Sequence, residues 1–136
     1  MNTKIKIVVA VFALILILLA VFFIRGDEDS WIKDERGVWI THGNPGSIPS
    51  YVALQREAIN KSLWLFEQRS LVLDLNSQCL GVIYVNETGF AVDIVHNPRI
   101  PEDNLPENQC KDYREGIVRN FIELDKSGTL IKIQQN

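Results

Sequence analysis

The chain has 136 residues and a formal net charge of -3 at pH 7. That balance, with no basic stripe along the sequence, excludes a nucleic-acid partner. About 107 residues follow Asp29, enough for one domain with its own core and too few for two.

Residues 7–24 form a run of eighteen without a charge, a Gly or a Pro. At the helical rise this run covers ~27 Å, close to a bilayer core of about 30 Å. It lacks the polar face that a buried core helix shows. Bulky residues, Val21-Phe22-Phe23-Ile24, stand where a signal-peptide cleavage site needs small ones. The expectation is an uncleaved, single-pass transmembrane helix. Lys4 and Lys6 precede it, while Asp27, Glu28 and Asp29 follow Arg25. The positive-inside bias then puts the N-terminus in the cytoplasm and the rest of the chain outside. The expected organisation is an N-terminal membrane anchor over 1–25, a polar collar over 26–30, and one extracytoplasmic domain over 31–136.

Beyond the collar, Trp31-Ile32-Lys33 and Val38-Trp39-Ile40-Thr41-His42 flank Asp34-Glu35-Arg36-Gly37, the pattern of a hairpin. Gly43-Asn44-Pro45-Gly46-Ser47 breaks regular structure. A helix is predicted over 49–68, capped by Ser47 or Ser50. Val52, Ile59, Leu63 and Phe66 make its apolar stripe, widened by Tyr51, Leu54, Ala58, Ser62 and Leu65. Trp64 falls on the polar side.

Leu71-Val72-Leu73-Asp74-Leu75 reads as a short strand. Residues 80–85 and 90–96 flank Asn86-Glu87-Thr88-Gly89 as a second hairpin. A proline-rich, acidic loop covers 97–108. Residues 117–124 and 129–133 flank Asp125-Lys126-Ser127-Gly128 as a third hairpin. The fold class predicted is α+β: an N-terminal transmembrane helix, then a small antiparallel sheet of five to seven strands with one amphipathic helix across a face.

Cys79 and Cys110 are the only cysteines. Outside the cytoplasm they pair naturally as a disulfide, closing a loop of about 31 residues for roughly 3–4 kcal/mol of stability. The alternative is two free buried thiols. A redox role finds no support in a C-x-x-C spacing.

The order of elements is similar to cystatin-like helix-on-sheet folds in topology alone. The Q-x-V-x-G inhibitory motif is absent, so no protease inhibition is implied. The segment Trp31-Ile32 through Trp39-Ile40-Thr41-His42-Gly43-Asn44-Pro45 resembles one found in small, uncharacterised membrane-anchored proteins of archaea and little-studied bacteria. Asn76-Ser77-Gln78-Cys79-Leu80-Gly81, Ala91-Val92-Asp93-Ile94-Val95-His96, Glu107-Asn108-Gln109-Cys110 and Phe121-Ile122-Glu123-Leu124-Asp125 are similar to the same group. The resemblance implies an anchored extracytoplasmic domain and no particular chemistry.

The candidate chemistry is sparse. His42 and His96 each end a predicted strand beside an Asn-Pro turn. Brought together with Asp93 or Glu102, they are weak candidates for a metal site. The alternative for each is a strand-end residue before a turn. Asp93, Glu102, Asp103 and Glu107 offer a carboxylate pair, and Glu102, Asp103, Glu107, Asp112 and Glu115 a weak calcium site, against the simpler reading of a solvated loop. No nucleophile motif is present. Asn60-Lys61-Ser62 and Asn86-Glu87-Thr88 match the glycosylation sequon, with Asn86 at a predicted hairpin tip. Trp64 is expected to contact a protein partner, to be covered by the 97–108 loop, or to rest at the membrane surface. The sequence therefore predicts a non-enzymatic, partner- or ligand-binding domain without cofactor. A small envelope enzyme or metal-site protein using His42 and His96, and a structural part of an envelope assembly, are the alternatives.

Overall fold

Leu, Ile, Val, Phe and Ala without a breaker make the helix α1, Thr3–Arg25. The computed structural model describes residues 3–25, 29–72 and 79–136, with α1 side chains described over 5–21. All of those side chains are exposed, including Ile7, Phe12, Ile17 and Leu18. Among the described residues, no helix is long and apolar enough to cross a membrane. The transmembrane helix predicted over 7–24 is corrected accordingly. The side chains of 22–24 lie outside the described residues.

The chain divides into two compact units, Met1–Ile32 with Thr41–Ser47, and Lys33–Ile40 with Ile48–Asn136. The strands β1, Ser30–Lys33, and β2, Trp39–His42, pair as a two-stranded sheet, the hairpin that the sequence predicts. In the first unit the Asn44 amide donates to the Asp29 carboxylate at 2.8 Å, and the Trp31 indole donates to the Ser47 carbonyl at 3.0 Å. These two bonds fix the Gly-Asn-Pro-Gly segment. Of the expected collar, 26–28 lie outside the described residues and Ser30 already begins β1.

In the second unit, α2 spans Ser50–Ser70. Pro49 occupies its N-cap position with no side-chain cap hydrogen bond, so neither Ser47 nor Ser50 caps it as predicted. The fixed φ of proline suits a helix start without that bond. Leu71 and Val72 form a turn; the rest of the strand predicted over 71–75 lies outside the described residues.

Four strands make the main sheet: β3, Cys79–Val85; β4, Thr88–Ile94; β5, Asn120–Leu124; and β6, Leu130–Gln134, in that spatial order. The β3–β4 and β5–β6 pairs are antiparallel, as predicted from their turns. The β4–β5 pair is parallel, which corrects the wholly antiparallel, cystatin-like sheet. The reason is the connection. Parallel neighbours need a long crossover, and residues 95–119 provide it. They carry two 3-10 turns, Pro101–Asn104 and Pro106–Asn108, and the short helix α3, Lys111–Arg114.

The central strand β4 is buried on both faces, and its alternation sorts the core into two. Phe90, Val92 and Ile94 join Leu80, Val85, Ile122, Leu124 and Ile133 against α2. Ala58 and Ser62, both at 0 % exposure, are small enough to let the helix backbone approach the sheet. On the other face Ala91, Cys110 and Val118 pack with Val82, Tyr113 and Phe121 under the crossover. The Cys79–Cys110 disulfide predicted from the sequence is present there.

Candidate ligand cleft

One row of charge crosses the sheet on the crossover face. Asp93 on β4 is aligned with Glu123 on β5, and Glu123 with Lys132 on β6. Neighbouring strands lie about 4.8 Å apart, so three charged side chains stand side by side. They line a cleft of about 500 Å³, with walls drawn from the crossover, including Arg99, Asn108 and Tyr113.

The crossover is tied down by two charged residues. The Arg99 guanidinium donates to both Glu123 carboxylate oxygens at 2.8 Å and to Asn104 Oδ1 at 3.1 Å. Asp103 is buried. Its carboxylate accepts from the Ile100 amide at 2.9 Å and the His96 amide at 3.2 Å, and meets His96 Nδ1 at 2.9 Å. Burial pushes the Asp103 carboxyl up, but the His96 ring and the two amides outweigh it and hold it below the usual carboxylate range. Asn97–Pro98, between them, is a cis peptide.

Asp93 has the opposite balance. Burial raises its carboxyl, the Cys110 amide draws it back, the Glu123 carboxylate alongside raises it again, and Arg99 lowers it. The result is a carboxyl pushed up to about 7. Its Oδ1 accepts from the Cys110 amide at 3.3 Å. Its other oxygen has no hydrogen-bond partner among the described residues. Lys132 makes no ion pair among the described residues; its ammonium lies 5.8 Å from the centroid of the Phe121 ring.

The sequence-predicted residues scatter. His96 is engaged by Asp103, while His42 is exposed at the end of β2 in the other unit. Of the four candidate acids, Asp93 and Asp103 line the cleft, and Glu102 and Glu107 are exposed outside it. Asp103 is occupied by its own segment and is not a free calcium ligand. Trp64 is 61 % exposed, so the 97–108 loop does not cover it. That loop runs on the sheet face opposite α2. Asn86 sits exposed at the β3–β4 tip with φ 53°.

Among the described residues, Cys79, Asp93 and Cys110 form the one group of three or more side chains with metal-ligand chemistry lying together. Their sulfurs are bonded to each other and are not available to an ion. Sequence reading missed Arg99, Glu123 and Lys132, which line the cleft with Asp93. A signal was present: an acid inside Ala91-Val92-Asp93-Ile94-Val95, a run apolar enough to be buried on both faces, calls for a specific use. No family model, curated protein or solved structure matches the chain.

Proposed function

We propose that the second unit is a non-enzymatic binding domain that holds a small polar ligand in this cleft. The observation that carries the reading is Asp93. Its carboxyl is 8 % exposed, lines the cleft, and keeps one oxygen unpaired among the described residues. A carboxylate oxygen that lines a cleft with no partner among the described residues suits an incoming donor. Lys132, two strands along the same row, suits an acidic group. A molecule with a hydrogen-bond donor at one end and a carboxylate or phosphate at the other meets both. Arg99 and Glu123, already paired, serve as a preformed wall, and the volume falls in the range of small-molecule sites.

The disulfide supports a location outside the cytoplasm. The exposed apolar side chains of α1 support association with lipid. Exposed Trp64 favours a second reading, a protein contact on the outer face of α2.

A thermal-shift screen of amino acids, small amino-phosphates and dicarboxylates on the full chain tests the ligand reading. The expected result is a saturable stabilisation by one class. Lys132→Ala and Asp93→Asn are each expected to weaken it tenfold or more, and Trp64→Ala to leave it unchanged. If both cleft variants bind every hit as the parent does, the reading is wrong.

A further inference from the structure

The same carboxyl has a second set of neighbours, on its disulfide side. Cys79 and Asp93 are directly opposite one another on β3 and β4. The Cys110 amide donates to Asp93 Oδ1. A carboxylate oxygen of Asp93 lies within 4.8 Å of both sulfurs. The two cysteines differ in access: Cys110 is 1 % exposed under the crossover, whereas Cys79 is partly exposed at the start of β3, an edge strand.

We propose that Cys79–Cys110 is a thiol-exchange site, in which an external dithiol attacks Cys79 and Asp93 moves the proton for Cys110. The entering thiolate bonds to Cys79 Sγ, and the electron pair of the old bond leaves on Cys110 Sγ. That sulfur is packed against Ala91 and Val118, where an unpaired negative charge is costly. The Asp93 carboxyl gives its proton to Cys110 Sγ, directly or through one water in the cleft. The products are a Cys110 thiol, an Asp93 carboxylate and a mixed disulfide on Cys79. The second thiolate of the reagent then displaces Cys79 as a thiolate, which takes a proton from solvent. Two electrons have passed to the protein, and the dithiol has become a disulfide. Closing reverses these steps, with the Asp93 carboxylate as base.

The surroundings set when the acid form is present. Burial, and then Glu123 on the neighbouring strand, keep the proton on Asp93 into the neutral range, while the Cys110 amide and Arg99 oppose them. Lys132 from β6, Tyr113 from α3 and Glu35 from the 34–38 turn also face the cleft. The exchange does not depend on a ligand occupying the cleft.

Opening of the disulfide in the intact chain by dithiothreitol, from pH 5.5 to 8.5, tests the proposal, with alkylation and mass spectrometry as the readout. The rate is divided by the concentration of attacking thiolate at each pH. The parent is expected to lose about tenfold in that corrected rate as Asp93 deprotonates. Asp93→Asn is expected to give a flat and slower profile. Glu123→Gln keeps the acid but moves the inflection to lower pH, and it decides the matter if Asp93→Asn does not fold. A flat profile for the parent, or an inflection unmoved in Glu123→Gln, overturns the proposal. Trapping with the monothiol glutathione is expected to mark Cys79; a mixed disulfide on Cys110 instead also overturns it.

Discussion

On the α2 face of the sheet, apolar side chains meet apolar side chains, and the two buried polar side chains of α2, Gln55 and Ser62, are hydrogen-bonded. Gln55, 1 % exposed, accepts from the Trp39 amide at 2.8 Å and donates to the Gly37 carbonyl at 3.0 Å. On the crossover face Glu123 and Asp103 are buried and paired, whereas Asp93, similarly buried, has only one of its oxygens bonded among the described residues. One face uses its buried polar groups to fasten the chain; the other leaves an oxygen of Asp93 open beside a cleft. The contrast teaches where to look: burial alone marks neither structure nor function, and the partners of the buried group decide between them.

The largest expected effect that separates the faces is a pH dependence. The Asp93 carboxyl ionises near 3.8 when unfolded and at about 7 when folded. Its folded value is raised, so the stability it contributes is fully present below the unfolded value and is lost as pH rises through the folded one. Between those values the unfolded chain binds fewer protons than the folded chain. Roughly three pK units correspond to about 4 kcal/mol. Urea unfolding at pH 4.5 and 7.5 is expected to show most of that loss in the parent and to show it removed in Asp93→Asn. An equal loss in both proteins would mean that Asp93 is not the buried acid responsible.

A smaller effect is expected on the α2 face, and no pH dependence with it. Gln55→Leu removes both hydrogen bonds and leaves the Trp39 amide and the Gly37 carbonyl without their partner. A buried group left unpaired costs about 1–3 kcal/mol, so a loss of about 2–3 kcal/mol is expected at every pH in denaturant titrations. The Gly37 turn cannot readily move to compensate. Its φ is +84°, and a Cβ there would collide with the Ile133 carbonyl oxygen. The Ile133 amide in turn donates to the Arg36 carbonyl at 2.8 Å. A loss that varied with pH would tie Gln55 to the charged face and erase the distinction.

How much of this was legible follows from the range of each interaction. Local patterns placed α2 and the three hairpins, because turn residues and helical periodicity act over a few positions; the disulfide came from the count of two cysteines and the expected compartment. The stripe on α2 was read with Val52, Ala58 and Ser62 in it, and all three are buried; Gln55, buried beside them, was not. A glutamine counts as surface until the hairpin turn it holds is known. The parallel β4–β5 pair was not legible, because a prolyl loop between two hairpins does not announce whether it reverses the chain or crosses over. Arg99 and Glu123 meet across 24 positions, and no local signal joins them. The cleft is a product of that crossover, so it was hidden for the same reason.

The smallest effect is expected at Trp64, which lies on the outer side of α2, away from both cores. It is 61 % exposed, whereas Trp31 and Trp39 are partly buried. Truncating an exposed side chain leaves stability within about 0.5 kcal/mol, so Trp64→Ala is expected to unfold at the denaturant concentration of the parent. Its emission should nevertheless change character, because iodide reaches an exposed indole first. The variant is expected to lose most of the iodide-quenchable fluorescence while keeping its stability. A loss above 1 kcal/mol would show that Trp64 supports the α2 face, and its exposure would no longer favour a partner contact. Unchanged stability with unchanged quenching would mean that another segment covers the indole in solution, leaving the cleft as the surface to pursue.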